Sequence, residues 1–148
     1  VMSLRDGSAK MSKSDPSAQS VVKLIDSDSE IADKFRKAKT DPDALPSEVE
    51  GLSERPEARN LVNIFAALSD MDVDAVLSDV GGKQFSEFKP MLVDLAVEKL
   101  SPISTEMARL MNDPAEIDRI LGEGSGRARA IATPILEKTY DIVGMIRS

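Results

Sequence analysis

Histidine, cysteine and tryptophan are all absent from the 148 residues, and one tyrosine and four phenylalanines bring the aromatic content to only 3%. Without cysteine there is no disulfide framework, no thiolate zinc site and no thiol nucleophile. Without histidine the usual general base and metal ligand are gone, and no protein-bound metal is expected. Chemistry therefore falls to Lys, Arg, Ser, Asp and Glu. Scarce aromatics leave a core of Leu, Ile, Val, Met and Ala, which favours helices over a β-sandwich. Positive charge is also short. A formal net charge of -7 argues against bulk electrostatic capture of nucleic acid and leaves room only for a local basic patch. No apolar run approaches the roughly 20 residues of a membrane span, and the first residues do not read as a secretory signal, so a soluble cytoplasmic protein is expected.

What is present suffices for a core: 41% of residues are hydrophobic, enough for one domain or for a small domain carrying part of another. "VMSL" at Val1–Leu4 reads as a strand, and a chain opening inside an element is expected to be a piece of a longer one. Asp6-Gly7 then signals a turn into a polar loop. Asp15-Pro16 has the form of a helix cap and first-turn pair, but the β-branched "SVVKLI" of Ser20–Ile25 predicts a short extended segment. Ser27 with Glu30 three residues later forms a capping-box pattern. It predicts a helix through Ile31, Phe35 and Ala38 that ends near Thr40-Asp41-Pro42.

Residues 41–57 hold three prolines and Gly51 with no periodicity, and read as a long connection. From Ala58, Leu61, Ile64, Phe65 and Leu68 fall on one helical face, with Arg59, Asn60 and Asn63 on others. A short helix over Val73–Val80 stops at Gly81-Gly82. From about Ser86 a long apolar periodicity runs to Met111, with a kink or break expected at Pro102. Asp113-Pro114-Ala115-Glu116 restarts the helix, Asp113 as cap and Glu116 placed to reach back. Gly122, Gly124 and Gly126 are expected to interrupt it before a final helix from about Arg127, bearing Ile131, Ile135, Ile142 and Ile146. Met91, Met107, Met111 and Met145 read as core filler. The expected class is mainly α, a helical bundle behind a strand-and-loop front.

Chemically useful groups crowd together in one loop, "KMSKS" at Lys10–Ser14. Two ammonium groups three positions apart can converge on one polyphosphate, while serine hydroxyls and backbone N–H groups add directional bonds. Lysines that grip a leaving pyrophosphate harder as its charge grows lower the barrier to its departure. Gly7 and Ser8 would let such a loop close and open.

"KMSKS" matches the signature of class I aminoacyl-tRNA synthetases letter for letter. Its flanks extend the likeness. "VMSLRDGSAKMSKSDPS", "TD" at Thr40-Asp41, "RNLVNIFAAL", "FKPMLVDLAVEKLSPI" and "IDRILGEGSGRARAIA" resemble, in order and spacing, the C-terminal part of the bacterial tryptophanyl-tRNA synthetases over essentially the whole chain. That resemblance implies two parts: residues 1–26 as the end of a Rossmann-type catalytic domain with its signature loop, and residues 27–148 as a helical domain on the anticodon side of tRNA. It implies ATP with Mg2+ and tryptophan as substrates, tRNA(Trp) as partner, and a homodimer. It makes Lys10 and Lys13 the catalytic phosphate-stabilising lysines, Ser12 and Ser14 ligands of the same phosphates, Met11 a packing anchor and Val1 a backbone contact to adenine. Arg127, Arg129, Lys138 and Arg147 are candidates for a tRNA-facing patch.

The family's other nucleotide signature, a His-Ile-Gly-His-like turn, and its tryptophan pocket lie upstream in relatives. The chain alone is therefore not expected to be active. Relatives often carry Lys-x-Gly before the Asn-Leu-Leu helix where this chain has "RPEARNLV". Two rival readings remain: a tyrosyl-tRNA synthetase or other class I relative, and a noncatalytic tRNA-binding module.

Overall fold

A computed structural model describes residues 1–145; Ile146 and Arg147 lie outside the described residues. Five α-helices follow in order: α1 Asp28–Arg36, α2 Pro56–Ser69, α3 Val73–Val80, α4 Phe85–Met111 and α5 Pro114–Val143, with a 3-10 turn at Val49–Leu52. The chain divides into two compact units, Val1–Met107 and residues from Ala108 onward.

The first unit owns a continuous core. Leu4, Ile31, Phe35, Leu52, Leu61, Val62, Val76, Leu77, Phe88 and Leu92 are all buried. The four phenylalanines all lie in this unit, with the Phe88 ring 5.5 Å from Phe65 and 6.5 Å edge-on from Phe85. Such tilted and edge contacts suit the aromatic quadrupole.

The mainly α class is borne out, but several local expectations give way. "VMSL" is not a strand. Among the described residues the only β pairing is an isolated antiparallel bridge, Met2 to Lys10. Ser20–Ile25 likewise forms no strand and joins the front by one bond, Leu4 N–H to Ser20 O at 3.0 Å. Asp15-Pro16 starts no helix; the Asp15 carboxylate accepts from Ser17 N at 2.8 Å in a local turn.

The capping box of α1 forms as expected, Glu30 N bonding Ser27 Oγ while Ser27 N bonds Glu30 Oε2 at 2.8 Å. The helix stops at Arg36, short of Thr40, because its end is captured from outside. Lys89 Nζ donates to Arg36 O at 3.2 Å and Ala38 O at 2.7 Å, and Lys39 N–H turns to Leu4 O at 2.8 Å. An ammonium there satisfies orphan carbonyls and complements the helix dipole. Partial burial pushes the Lys89 pKa down.

α4 runs unbroken through Pro90 and Pro102. Proline costs its own backbone bond and crowds the preceding turn, yet Val97 and Leu100, between the two prolines, pack against the core and help to hold the helix. In the second unit, α5 passes through Gly122, Gly124 and Gly126 without interruption. Each helical glycine costs only about 1 kcal/mol relative to alanine, less than a break needs. Arg119 also braces the approach, bonding Glu116 at 2.8 Å and Glu123 at 2.6 Å. Asp113 caps α5 as expected, accepting from Glu116 N at 3.2 Å, but Glu116 turns to Arg119 instead of reaching back. The helix closes on Gly144, whose left-handed φ of 70 suits a residue without a side chain.

α5 contains no buried residue, and Ile131, Ile135 and Ile142 are exposed. Met91, Met111 and Met145 are exposed too and Met107 is half-buried, so the methionines do not fill the core. No helix of the described residues is long and apolar enough to cross a membrane.

Candidate nucleotide-binding loop

The lysine-serine stretch hangs from a small frame made by Met2, Ser3 and Leu4. Ser3 N donates to Ala9 O at 2.8 Å, and Met11 N donates to Val1 O at 3.4 Å, closing an arch over residues 3–9. Inside the arch the Asp6 carboxylate accepts from Ser8 Oγ at 2.6 Å and Ser8 N at 2.9 Å, which holds its pKa below the usual carboxylate value. Leu4 N reaches Ser20 O, and Ser20 is fully buried, so the far end of the loop returns to the same frame.

Two elements seat the frame on the helical body. Asn60 of α2 accepts from Met2 N at 2.9 Å and donates to Met2 O at 2.9 Å and to Ser3 O at 3.2 Å. Gly7 lies flat on the start of α2, where a Cβ would stand 2.4 Å from Pro56 C and 2.5 Å from Glu57 N. Gly7 is glycine because backbone meets backbone there. Beside it Lys39 pairs with Glu57 at 2.8 Å, and that hydrogen bond lowers the Glu57 pKa and raises that of Lys39.

Between these anchors the signature residues stand in solvent. Lys10 and Lys13 are exposed, and neither ammonium has a hydrogen-bond or ion-pair partner among the described residues. Ser12 Oγ and Ser14 Oγ are 3.0 Å apart, and Ser14 N donates to Ser12 Oγ at 3.3 Å. From Ser12 to Ser17 the hydrogen bonds found among the described residues stay within the loop, Asp15 N to Ser12 O at 3.3 Å among them. Met11 is half-buried and packs on the core, so it pins the loop between its two lysines. Val1 is exposed and lines a cleft of about 450 Å³ with Met2, Arg59, Asn60, Asn63 and Ile64. The arrangement offers two cations and two hydroxyls on a self-contained loop with fixed ends, a set that suits a polyphosphate.

The candidate tRNA contacts lie elsewhere. Arg127, Arg129 and Lys138 are exposed on α5. At about 100° per residue, Arg127 and Lys138 share a face while Arg129 projects away from both, so the helix does not gather the three into one patch. Arg147 is outside the described residues.

Ser20 escaped sequence reading, and Asn60, expected off the apolar face of α2, is instead buried, 4% exposed, because its amide is engaged by Met2 and Ser3. A signal for Asn60 existed: it sits between Ala58 and Leu61, inside the buried arc of α2, where an amide must find partners.

Residues 1–99 match the family model of class I tRNA synthetases (W and Y). The chain belongs to that family. It is 58% identical over 147 residues to tryptophan–tRNA ligase of Agrobacterium fabrum, covering 99% of this chain and 42% of that protein. It is 52% identical to the ligase of the same name from Caulobacter vibrioides, covering 97% of this chain and 42% of the other. With the chloroplastic/mitochondrial tryptophan–tRNA ligase of Arabidopsis thaliana the identity is 38%, over 97% of this chain and 35% of that one. The fold resembles a crystal structure of tryptophanyl-tRNA synthetase from Mycoplasma pneumoniae, with a TM-score of 0.77 at 24% identity, over 99% of this chain and 46% of that one. The chain thus spans less than half the length of these relatives.

Proposed function

We propose that this chain is the C-terminal part of an enzyme that activates tryptophan with ATP and attaches it to tRNA(Trp). What supports this reading most is the exposed pair Lys10 and Lys13 on a loop fixed at both ends, in a chain whose curated relatives are named tryptophan–tRNA ligase. In activation a tryptophan carboxylate oxygen bonds to the α-phosphorus, the bond from that phosphorus to the bridging oxygen of the β-phosphate breaks, and pyrophosphate leaves with the electron pair. Lys10 and Lys13 bind the β- and γ-phosphates and neutralise the charge that grows on them, while Ser12 and Ser14 direct hydrogen bonds to the same oxygens. Val1 contributes a backbone contact at the adenine end, and Met11 keeps the loop seated. Mg2+ enters on the triphosphate, as part of the substrate.

Residues 1–26 then complete a nucleotide site whose remainder lies in the preceding part of the enzyme, and residues 27–148 approach tRNA, with Arg127, Arg129 and Lys138 as contacts. A cytoplasmic homodimer is the assembly that goes with this reading. On this reading the tryptophan pocket lies in the preceding part of the enzyme, and the chain is expected to be inactive by itself.

The test is ATP–pyrophosphate exchange by the full-length enzyme that contains this chain, with tryptophan, with tyrosine and with neither. Tryptophan-dependent exchange that falls about 100-fold or more in Lys13→Ala, with little change in tryptophan binding, is the expected result. Tyrosine dependence would move the enzyme to the sister specificity. A folded enzyme that binds tRNA without any exchange would make the chain a noncatalytic module.

A further inference from the structure

We propose that Asn60 is a positioning residue for the lysine loop, an assignment that rests on the reading above that Lys10 and Lys13 hold the phosphates of ATP. Met2, Ser3 and Leu4 are the shared frame of the loop. Met2 bridges to Lys10 itself, Ser3 holds Ala9 one residue before it, and Leu4 holds Ser20 at the loop's other end. A displacement of this three-residue frame therefore moves both ends of the loop together.

The frame has few holds on its other edge. Lys39 N takes Leu4 O at 2.8 Å, and the Asn60 amide takes everything offered by Met2 and Ser3 on that side: one N–H and two carbonyls, between 2.9 and 3.2 Å. The amide orientation is fixed by those partners, since the reversed amide would point NH2 at the Met2 N–H and its oxygen at two carbonyl oxygens. Asn60 is 4% exposed and belongs to α2, a helix seated in the core through Leu61 and Val62. Its side chain thus ties a loop of exposed lysines to a helix seated in the core. No other side chain type present could replace it at that length: aspartate offers no donors to the carbonyls, and glutamine is one methylene too long for the gap.

In the full-length enzyme, tryptophan-dependent ATP–pyrophosphate exchange is compared for Asn60→Ala, Asn60→Asp, Lys13→Ala and the two double variants. Asn60→Asp keeps the size and the acceptor for Met2 N while turning a carboxylate on two carbonyls, so it removes the two donor bonds specifically. In every variant kcat is counted per folded molecule, so that poor folding does not mask the readout. The expected outcome is a kcat lowered about 10- to 100-fold by either Asn60 variant, the loss typical of a misplaced catalytic group. The KM for tryptophan stays near that of the unsubstituted enzyme, and either Asn60 change added to Lys13→Ala costs little more than Lys13→Ala alone. A merely structural role predicts losses that multiply in the double variants, or a fall in active enzyme with kcat per folded molecule unchanged; either result overturns the proposal. Absence of exchange in the unsubstituted enzyme would instead overturn the ligase reading beneath it.

Discussion

Leu61 and Phe88 in the first unit, and Ile131, Ile135 and Ile142 in the second, all sit on helices with apolar residues at threes and fours. Their fates differ: Leu61 is 1% and Phe88 0% exposed, against 70%, 64% and 74% for the three isoleucines. Periodicity tells which residues share a helix face, and the same pattern serves a face that is covered and one that is not. Phe88 has its place because α4 passes Phe65 of α2, and its ring is enclosed by aromatic and aliphatic neighbours. On α5 the apolar side chains line one side of a helix whose own unit buries none of them.

The largest effect that would break this contrast comes from truncation. Phe88→Ala removes a fully buried ring and leaves a cavity, and is expected to destabilise the first unit by about 3–5 kcal/mol. Ile135→Ala in the same chain should change stability by less than about 0.5 kcal/mol, the usual range for a surface site. Urea unfolding of both variants checks the pair. Comparable losses would mean that α5 is covered in solution.

Second in size is Gly7→Ala. The new methyl would meet Pro56 C at 2.4 Å and Glu57 N at 2.5 Å, and both are backbone atoms that cannot swing aside. Forcing them apart should cost about 1–3 kcal/mol, the range for overpacking. A thermal melt unchanged by this substitution would show that the arch does not rest on α2 as described.

A smaller effect depends on pH. Arg55 forks onto Asp41, with Nε to Oδ2 at 3.0 Å, and also donates to Ala44 O at 2.7 Å and Asp43 O at 3.0 Å, tying the connection after α1 to the start of α2. Burial alone would raise the Asp41 pKa, but the Arg55 bond, a backbone bond and the guanidinium charge outweigh it, and the pKa falls below its ordinary 3.8. A carboxylate lowered on folding adds stability that is fully present above its unfolded value and is lost as pH drops through its folded value. The first unit should therefore lose about 1 kcal/mol more than Asp41→Asn does on going from neutral pH to well below pH 3.8, as read from urea midpoints. Equal acid sensitivity of the two proteins would assign the loss to other carboxylates.

How much of this was legible follows from the range of each interaction. The Ser27–Glu30 box and the Asp113 cap were readable because capping is settled within four residues. The end of α1 was not, since Lys89 and Leu4, which capture it, lie far away in sequence. The loop could be picked out by its composition, while the means of holding it could not: Asn60 meets Met2 across 58 positions. "VMSL" looked like a strand because its residues favour one, but only one bridge is available to it among the described residues.

The smallest expected effect sets the second unit against the first through one substitution made twice. Gly124 lies within α5, and a Cβ there would meet nothing within 4 Å, so Gly124→Ala adds a methyl without collision. It also removes the backbone freedom that glycine gives the unfolded chain. The gain should be about 0.5–1 kcal/mol, toward higher helix content on heating. Gly7→Ala makes the same chemical change with the opposite sign, because there the methyl lands on the backbone of α2. Circular dichroism melts of the two variants side by side decide the matter. If Gly124→Ala also destabilises, something packs against α5 at that turn, and its apolar side has a partner after all.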